Sequence, residues 1–362
     1  MLRHNGLKVF LIVVLSACAV SPQADRYLPA AEGQPATPDQ LKSIQTISVE
    51  VKLDLPAKTP DAWAAETVKR LLTYSGYKVV SGKAPARAVL RISGAALGGG
   101  YTAPGRSGYY YTGTLMQATL DLYPDDGHVS SIQYYGRKDP TFYAYLNNDM
   151  LDPQGAPFEK NFLNERDGFA RLYFEQTREL LGEAPVLRAA ADDSASPLLR
   201  RTAYELIGVW NLPEGYSWLK RTISLKRDGY EHYAAIAAIA KLNLPETQDV
   251  LLEYVRKNRN DPRYSTPASR ALGFLIERPP AGTVCELASL LAHYKVVHTL
   301  ESDFADKAVA EGGPVCIAAF TGLQEVVKKD LALAAKYGDT NRMLQEKDSI
   351  IKDALQRMQR SE

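Results

Sequence analysis

The sequence predicts an α+β protein in which a small mixed-sheet domain of β-α-β-β-β-β order is followed by an all-α region of repeated helix pairs. Alternating apolar and polar residues, interrupted by one stretch of helical spacing, predict the sheet domain over residues 44–145. A block that recurs with offsets of 32 and 33 residues predicts the helical region over residues 184–338. A chain of 362 residues is also too long for one ordinary core, so two domains are expected.

The chain begins with a basic segment, a short apolar run and a cysteine. Arg3, His4 and Lys8 form the basic segment, and the apolar run that follows spans residues 9–15, far shorter than the ~20 residues of a membrane-spanning helix. It closes with Leu15-Ser16-Ala17-Cys18. This segment resembles the lipobox of bacterial lipoproteins, which makes residues 1–17 a signal peptide. An ordinary secretory signal followed by an unrelated cysteine is the alternative.

The lipobox resemblance implies acyl chains, palmitate among them, on the sulfur and the new amino group of Cys18. Several acyl chains together anchor a protein stably to a bilayer. Ala19 follows, where family members kept in the inner membrane usually carry Asp, so the resemblance favours the outer membrane and a periplasm-facing protein. Residues 18–43 are rich in Pro, Ala and Gln and predict a disordered tether.

The sheet domain follows this tether. Asp61 to Tyr74 has the spacing and N-cap of a helix. The five predicted strands are Ile44 to Leu53, Tyr77 to Val80, Arg87 to Ala95, Tyr111 to Tyr123 and His128 to Arg137, the last two joined by the turn Asp125-Asp126-Gly127. The order of elements, with Gly76-Tyr77-Lys78-Val79-Val80 after the helix, resembles small domains of envelope lipoproteins. Examples are the curli-secretion lipoprotein, lipoprotein activators of penicillin-binding proteins, and the amino-terminal domain of the Tol system's propeller protein.

A connecting segment over residues 146–183 contains a long amphipathic helix, Phe158 to Leu181, and the repeats begin beyond it. The repeated blocks are Ala203 to Trp210, Ala235 to Leu242 and Ala268 to Leu275, with small residues in the first and sixth columns. Seven residues before each block stand the N-cap residues Ser196, Asp228 and Asp261. Second helices are predicted between the blocks, at Glu246 to Lys257 and Thr283 to Tyr294.

The pattern Ser196-Pro197-Leu198-Leu199-Arg200 followed by the block resembles short HEAT repeats, which implies a solenoid of stacked helix pairs. The middle block departs from the pattern, with Gly229 for the proline and Ala240 for the glycine. An irregular all-α bundle is the alternative. A charged helix over residues 339–362 is expected to cap the last repeat rather than to form a coiled coil, because it has too few heptads.

Apart from Cys18, the chain contains only Cys285 and Cys316, one repeat apart. An oxidising compartment predicts a disulfide between them, and two independent buried thiols are the alternative. His293 and His298 are five residues apart, a poor spacing for metal ligands on one helix face, so no metal site is predicted. The chain contains no G-x-S-x-G, P-loop or H-E-x-x-H motif, so we predict no catalytic residues and no cofactor.

Tyrosine is the most informative residue type in the sheet domain. Tyr101, Tyr109, Tyr110 and Tyr111 flank a segment that follows Gly98-Gly99-Gly100, which we expect to be a flexible connection between strands. Tyrosines in a glycine-rich loop are typical of binding surfaces, so these four are candidate partner-binding residues. A β-sheet that simply favours aromatic residues is the alternative.

The charge balance of 43 basic and 42 acidic residues gives no reason to expect nucleic acid as a partner, since that needs a concentrated positive surface. The sequence therefore predicts a membrane-anchored, non-enzymatic lipoprotein that works as a protein–protein interaction scaffold in the cell envelope. Its expected partners are the bilayer, through Cys18, and envelope proteins of unknown identity. The alternatives are an oligomerising subunit of an assembly or secretion machine, and an enzyme acting on envelope glycan or peptide.

Overall fold

The fold is taken from a computed structural model that describes residues 31–54, 61–103, 106–138, 156–337 and 341–361. Over these ranges the chain divides into two compact units. The first contains residues 31–69 and 77–172, and the second contains residues 70–76 and 173–361. A mixed sheet in the first unit and helices throughout most of the second confirm the predicted α+β fold class.

The first unit is built on a six-stranded mixed sheet of order β1-β6-β5-β4-β2-β3. The strands β4, β5 and β6 form antiparallel pairs, whereas β2 pairs in parallel with β3 and with β4, and β1 pairs in parallel with β6. The bounds are β1 Gln34–Pro35, β2 Thr46–Asp54, β3 Lys78–Val80, β4 Ala86–Ala103, β5 Arg106–Tyr123 and β6 His128–Lys138. The five predicted strands and the Asp125–Gly127 turn are therefore present.

The predicted tether is wrong in its last ten residues. Residues 34–43 form β1 and a short helix, α1 Pro38–Lys42, rather than a disordered segment. A capping box explains α1, because the Thr37 side chain accepts from the Gln40 N–H and Gln40 accepts from the Thr37 N–H. Leu41 is 1% exposed, and its carbonyl accepts a hydrogen bond from the hydroxyl of Tyr77. This burial gives the segment the apolar contact that its composition did not suggest.

Two helices of the sheet region match their predicted positions closely. α2 Asp61–Tyr74 follows β2, and the long helix α3 Ala156–Leu181 runs from the first unit into the second. The apolar core of the first unit contains Ala64 and Val68 of α2 with buried residues from three strands, which are Ile47, Ala88, Leu90, Ile92, Leu120 and Leu122. Along β4 and β5 these residues lie two apart and so share one face of the sheet, whereas Val89, Tyr123 and Val129 form a second buried cluster against which Ala31 packs.

The second unit consists mostly of helices. After α3 come α4 Ala184–Ala191, α5 Pro197–Trp210, α6 Tyr216–Ser224, α7 Gly229–Leu242, α8 Thr247–Lys257, α9 Ser265–Glu277, α10 Val284–Tyr294, α11 Ser302–Glu311, α12 Gly313–Lys336 and α13 Arg342–Ser361. The helices α5, α7 and α9 carry the three repeated blocks, and α5 packs on α7, which packs on α9. The helices α6, α8 and α10 alternate with them as second helices. Helix pairs thus recur at the spacing that the sequence predicted.

The repeat is regular at its helix ends, with one exception. Ser196 and Asp228 cap α5 and α7, and asparagines in the left-handed region, Asn211 and Asn243, end the same two helices. Asp261 instead caps a short 3₁₀ turn, and α9 begins at Ser265, three residues later than the pattern predicted. Along α13, the buried residues Leu344, Ile351, Leu355 and Met358 form the expected stripe, and α13 packs on α11 and α12.

Candidate functional site

The predicted lipidation site, Cys18, lies outside the residues that the structure describes. Within the described ranges, no helix is both long enough and apolar enough to cross a membrane. The four candidate tyrosines lie on β4 and β5, and the expected flexible connection is wrong. Gly98, Gly99 and Gly100 belong to β4, where they pair with Tyr111, Tyr110 and Tyr109 of β5 after a register shift at Leu97. Tyr101 pairs with Gly108 in the same way.

This Gly–Tyr register explains why the glycines are not a loop. Because both strands are extended, the backbone N–H and C=O groups of the glycines can form hydrogen bonds between the strands. In a flexible connection these groups would be left to solvent. Beyond Ser93 on β4 and before Thr114 on β5, the two strands pair only with each other within the described residues. The tyrosines therefore belong to a two-stranded ribbon that continues past the rest of the sheet, which we call the Gly–Tyr ribbon (residues 97–103 and 106–113).

The predicted disulfide is confirmed. Cys285 of α10 and Cys316 of α12 are bonded, with their Cα atoms 4.6 Å apart. The carboxylate of Glu311 accepts hydrogen bonds from the backbone N–H groups of Val284 and Cys285 at 3.0 and 3.4 Å, which caps the first turn of α10. Among the described residues, Cys285, Glu311 and Cys316 are the only group that could surround a metal ion, and a disulfide removes the thiolates that such a site would need.

His293 and His298, the histidine pair with poor spacing for metal ligands, lie in different elements. His293 Nε2 donates a hydrogen bond to the Arg259 carbonyl at 2.7 Å. His298 lies in a short 3₁₀ turn between α10 and α11.

A buried ion-pair network joins α5 to α7. Arg200, the arginine of the Ser-Pro-x-x-Arg pattern, donates to both carboxylate oxygens of Glu231 at 2.8 and 2.9 Å. Arg227 donates to Glu231 at 3.2 Å and also contacts Asp193, which pairs with Arg221 at 2.5 Å. Burial alone would raise the pKa of Glu231, but the hydrogen bonds and charges of Arg200 and Arg227 outweigh it and lower that pKa. The network fixes the contact between two successive repeats.

An aromatic cluster continues this contact towards α8 and α9. The ring of His232 stacks on Tyr264 with centroids 4.4 Å apart, and its Nδ1 accepts a hydrogen bond from the Tyr254 hydroxyl at 2.8 Å. Its Nε2 donates to the Leu225 carbonyl at 3.0 Å. Each of these groups is satisfied inside the unit, so the cluster is structural and offers no free group for chemistry.

An exposed surface of cations and aromatic rings crosses α5, α7 and α9. Tyr230 and Tyr233 on α7 are 69% and 38% exposed. Arg201 of α5 lies over the Tyr230 ring at 5.4 Å, and Arg270 of α9 lies 5.8 Å from the Tyr233 ring centroid and 4.6 Å from that of Phe274. Lys241 and Arg278 continue the surface at the ends of α7 and α9. We call these seven residues the arginine–tyrosine surface.

A cleft of about 390 Å³ opens at one end of this surface, between the ends of α7 and α9 and the start of α8. Leu251, Phe274 and Leu275 supply its apolar wall. Its polar rim is formed by Lys241, Asn243, Gln248, Glu277 and Arg278. The guanidinium of Arg278 donates a hydrogen bond to Asn243 Oδ1 at 3.0 Å, which orients it. The backbone carbonyl of Arg278 accepts a hydrogen bond from Gln248 Nε2 at 2.9 Å. An apolar wall below a polar rim is the usual build of a recognition site.

The arginine–tyrosine surface was not predicted, although the repeat contains a signal for it. The residues of the first and fifth columns are buried in all three blocks, which explains why these columns keep their chemistry. The third and seventh columns change from block to block, and most of their residues are exposed. Those columns contain Glu205, Ala237 and Arg270, and Val209, Lys241 and Phe274.

Comparisons with known proteins place the chain in no family. No family model matches the sequence, and no curated protein matches it. Among solved structures, a neuraminyllactose-binding hemagglutinin homologue from Helicobacter pylori is similar at 10% sequence identity and a TM-score of 0.19. The match covers 49% of this chain and 94% of that chain. At this TM-score the similarity carries no argument about function.

Proposed function

We propose that the protein is a membrane-anchored, periplasm-facing lipoprotein that binds a protein partner through the arginine–tyrosine surface and performs no chemistry itself. The observation that carries this proposal is the exposure of Tyr230 and Tyr233 beside arginines that lie over their rings. Tyrosine and arginine are the residue types enriched at the energetic centres of protein interfaces. Helical repeats also present an extended surface, which suits contact with another protein.

Photo-crosslinking in intact cells tests the proposal. Benzoylphenylalanine replaces Tyr230 in the test protein and Tyr337 in the control, because Tyr337 is 77% exposed and is the C-cap residue that follows α12, outside the surface. We expect crosslinked species of defined mass from position 230 and none of the same mass from position 337. Equal crosslinking at the two positions, or none at position 230, would contradict a partner-binding role for this surface.

A second candidate function is supported by the Gly–Tyr ribbon. Within the described residues, both edges of this ribbon are unpaired, and unpaired edges are ready templates for another strand. This favours an oligomerising subunit of an envelope assembly. Light scattering of the purified chain tests it: a stable multimer that becomes monomeric after Tyr110→Pro would support this function, and a monomer at all concentrations would exclude it.

A further inference from the structure

Arg270 is the most organised exposed cation on the arginine–tyrosine surface. Rings from two different helices, Tyr233 and Phe274, hold its guanidinium. Within the part of the chain that the structure describes, Arg270 has no carboxylate partner, and the same is true of Arg201. A guanidinium stacked on a ring keeps its N–H edge available, and that edge matches a carboxylate in a bidentate geometry. Arg270 is therefore prepared to receive an anionic group that this chain does not supply.

The surrounding charges favour the same ligand. The surface carries the cations Arg201, Lys241, Arg270 and Arg278, and the carboxylates of Glu205, Asp228 and Glu277 lie on the same helices or at their ends. Four cations against three carboxylates give the surface a modest excess of positive charge, in a chain of 43 basic and 42 acidic residues. Complementary charge is how interfaces select partners and accelerate their encounter. A partner with carboxylates is thus favoured over a neutral or basic one.

The spacing and the cleft indicate that the ligand is a protein segment. Arg270 and Arg278 are separated by about 12 Å along the helix direction, with the Phe274 ring between them. An apolar wall under a polar rim that contains Lys241 and Arg278 accepts the aliphatic stem of a glutamate with its carboxylate beside these cations. Anionic lipid is disfavoured, because the patches that bind it are clusters of four to eight basic residues, whereas the four cations here are interspersed with carboxylates.

We infer that the arginine–tyrosine surface binds an acidic segment of a partner protein in which carboxylates alternate with apolar side chains. In this arrangement Arg270 and Arg201 pair with carboxylates, the rings of Tyr233 and Phe274 contact apolar side chains, and the cleft receives one side chain of the segment. The inference rests on the proposed function and names the chemistry of its partner.

Fluorescence anisotropy with the full chain tests this inference. The probes are a labelled peptide of alternating glutamate and leucine and its lysine counterpart. The variants are Arg270→Glu and Tyr233→Ala, and the control is Lys307→Glu, which makes the same charge change at an exposed position of α11. We expect the acidic peptide to bind and the basic peptide not to bind. Arg270→Glu should lower the affinity for the acidic peptide by at least about tenfold. Lys307→Glu should leave its affinity unchanged.

Three outcomes would overturn the inference. The first is equal affinity for the two peptides, and the second is acidic-peptide binding that Arg270→Glu and Lys307→Glu weaken equally. The third is binding of anionic phosphatidylglycerol vesicles, lost in Arg270→Glu, without peptide binding. The crosslinking experiment separates this failure from failure of the proposed function. A crosslink at position 230 without acidic-peptide binding would support the proposed partner-binding function and reject an acidic partner. Selective binding of the acidic peptide without a crosslink would support the preference for acidic segments and reject the proposed function in cells.

Discussion

The imidazole of His232 is enclosed by tyrosines inside the second unit and is 1% exposed. Burial lowers the pKa of His232 below its ordinary value of 6.5, even though the Leu225 carbonyl and the nearby Glu231 and Asp228 act in the opposite direction. The unfolded chain therefore binds a proton more readily than the folded one. The stability that this group contributes is present above pH 6.5 and is lost as the pH falls from there through the folded pKa.

We therefore predict that acidification destabilises the wild-type protein more than a variant without this group. Urea unfolding from about pH 7.5 to about pH 5.5, across the ordinary range of histidine titration, measures the change. His232→Gln should show a smaller loss of unfolding free energy over the same interval. An identical loss in the two proteins would show that other groups cause the acid sensitivity.

The buried ion pair gives a second prediction at the scale of single residues. Glu231 is 2% exposed and is contacted by Arg200 and Arg227, so Glu231→Gln leaves buried positive charge without compensation. We expect a loss of roughly 3 kcal/mol in the free energy of unfolding. Glu253→Gln, at an exposed position of α8, is the control and should change stability by less than about 0.5 kcal/mol. Denaturant titration of both variants provides the comparison, and similar losses would argue against a structural role for the network.

At the scale of helices, two glycines at the same position of the repeat differ in what surrounds them. A Cβ on Gly208 of α5 would lie 2.8 Å from the Cα of Ala238 on α7, whereas a Cβ on Gly273 of α9 would meet nothing within 4 Å. Close packing of α5 on α7 therefore requires the first glycine and not the second. A similar contact explains why the middle repeat lacks proline, since a Cβ on Gly229 would lie 2.8 Å from the Arg263 carbonyl oxygen.

The same substitution at these two glycines should have opposite effects. Gly208→Ala forces α5 and α7 apart and should destabilise the protein by about 1–3 kcal/mol. Gly273→Ala adds helix propensity at no steric cost and should stabilise it by up to about 1 kcal/mol. Thermal unfolding followed by circular dichroism distinguishes them. If both variants shift the midpoint of thermal unfolding in the same direction, contact between helices does not explain the glycines at this position of the repeat.

At the scale of the whole molecule, the anchor can be tested directly. Cys18→Ser removes the sulfur that the lipobox resemblance assigns to the lipid. We expect the variant to lose metabolic labelling by palmitate and to move from the detergent phase to the aqueous phase on Triton X-114 partitioning, because the acyl chains supply the membrane affinity. Cys316→Ser is the control and should remain labelled. Unchanged partitioning of Cys18→Ser would reject lipidation at this position.

Most of the fold could be predicted from the sequence, because alternation and helical spacing report directly which face of an element is buried. The strand β2, the helix α2 and the repeated helices α5 and α7 follow from such patterns. The elements β1 and α1 could not be predicted from composition, since their proline-rich segment is ordered by a capping box and by the burial of one leucine. The strand pairing of Gly98 to Gly100 depends on partners in β5, which no local pattern contains.

The candidate site was harder to predict than the fold. Arg201, Tyr230, Tyr233 and Arg270 come from three helices and form one surface only when those helices stack. The repeat spacing predicts the stacking, but it does not predict which side chains meet across neighbouring helices. The disulfide could be predicted because the sequence contains only two cysteines besides Cys18, and these two lie one repeat apart.

The bond between Cys285 and Cys316 has a consequence for how the proposed lipoprotein matures. With three cysteines in the sequence and the first one alkylated in the proposed lipoprotein, oxidation can produce a single intramolecular product. Scrambled isomers, which arise when several thiols compete, have no chemical route here. We therefore predict that the proposed lipoprotein needs a thiol oxidase after export and that its yield does not depend on a disulfide isomerase.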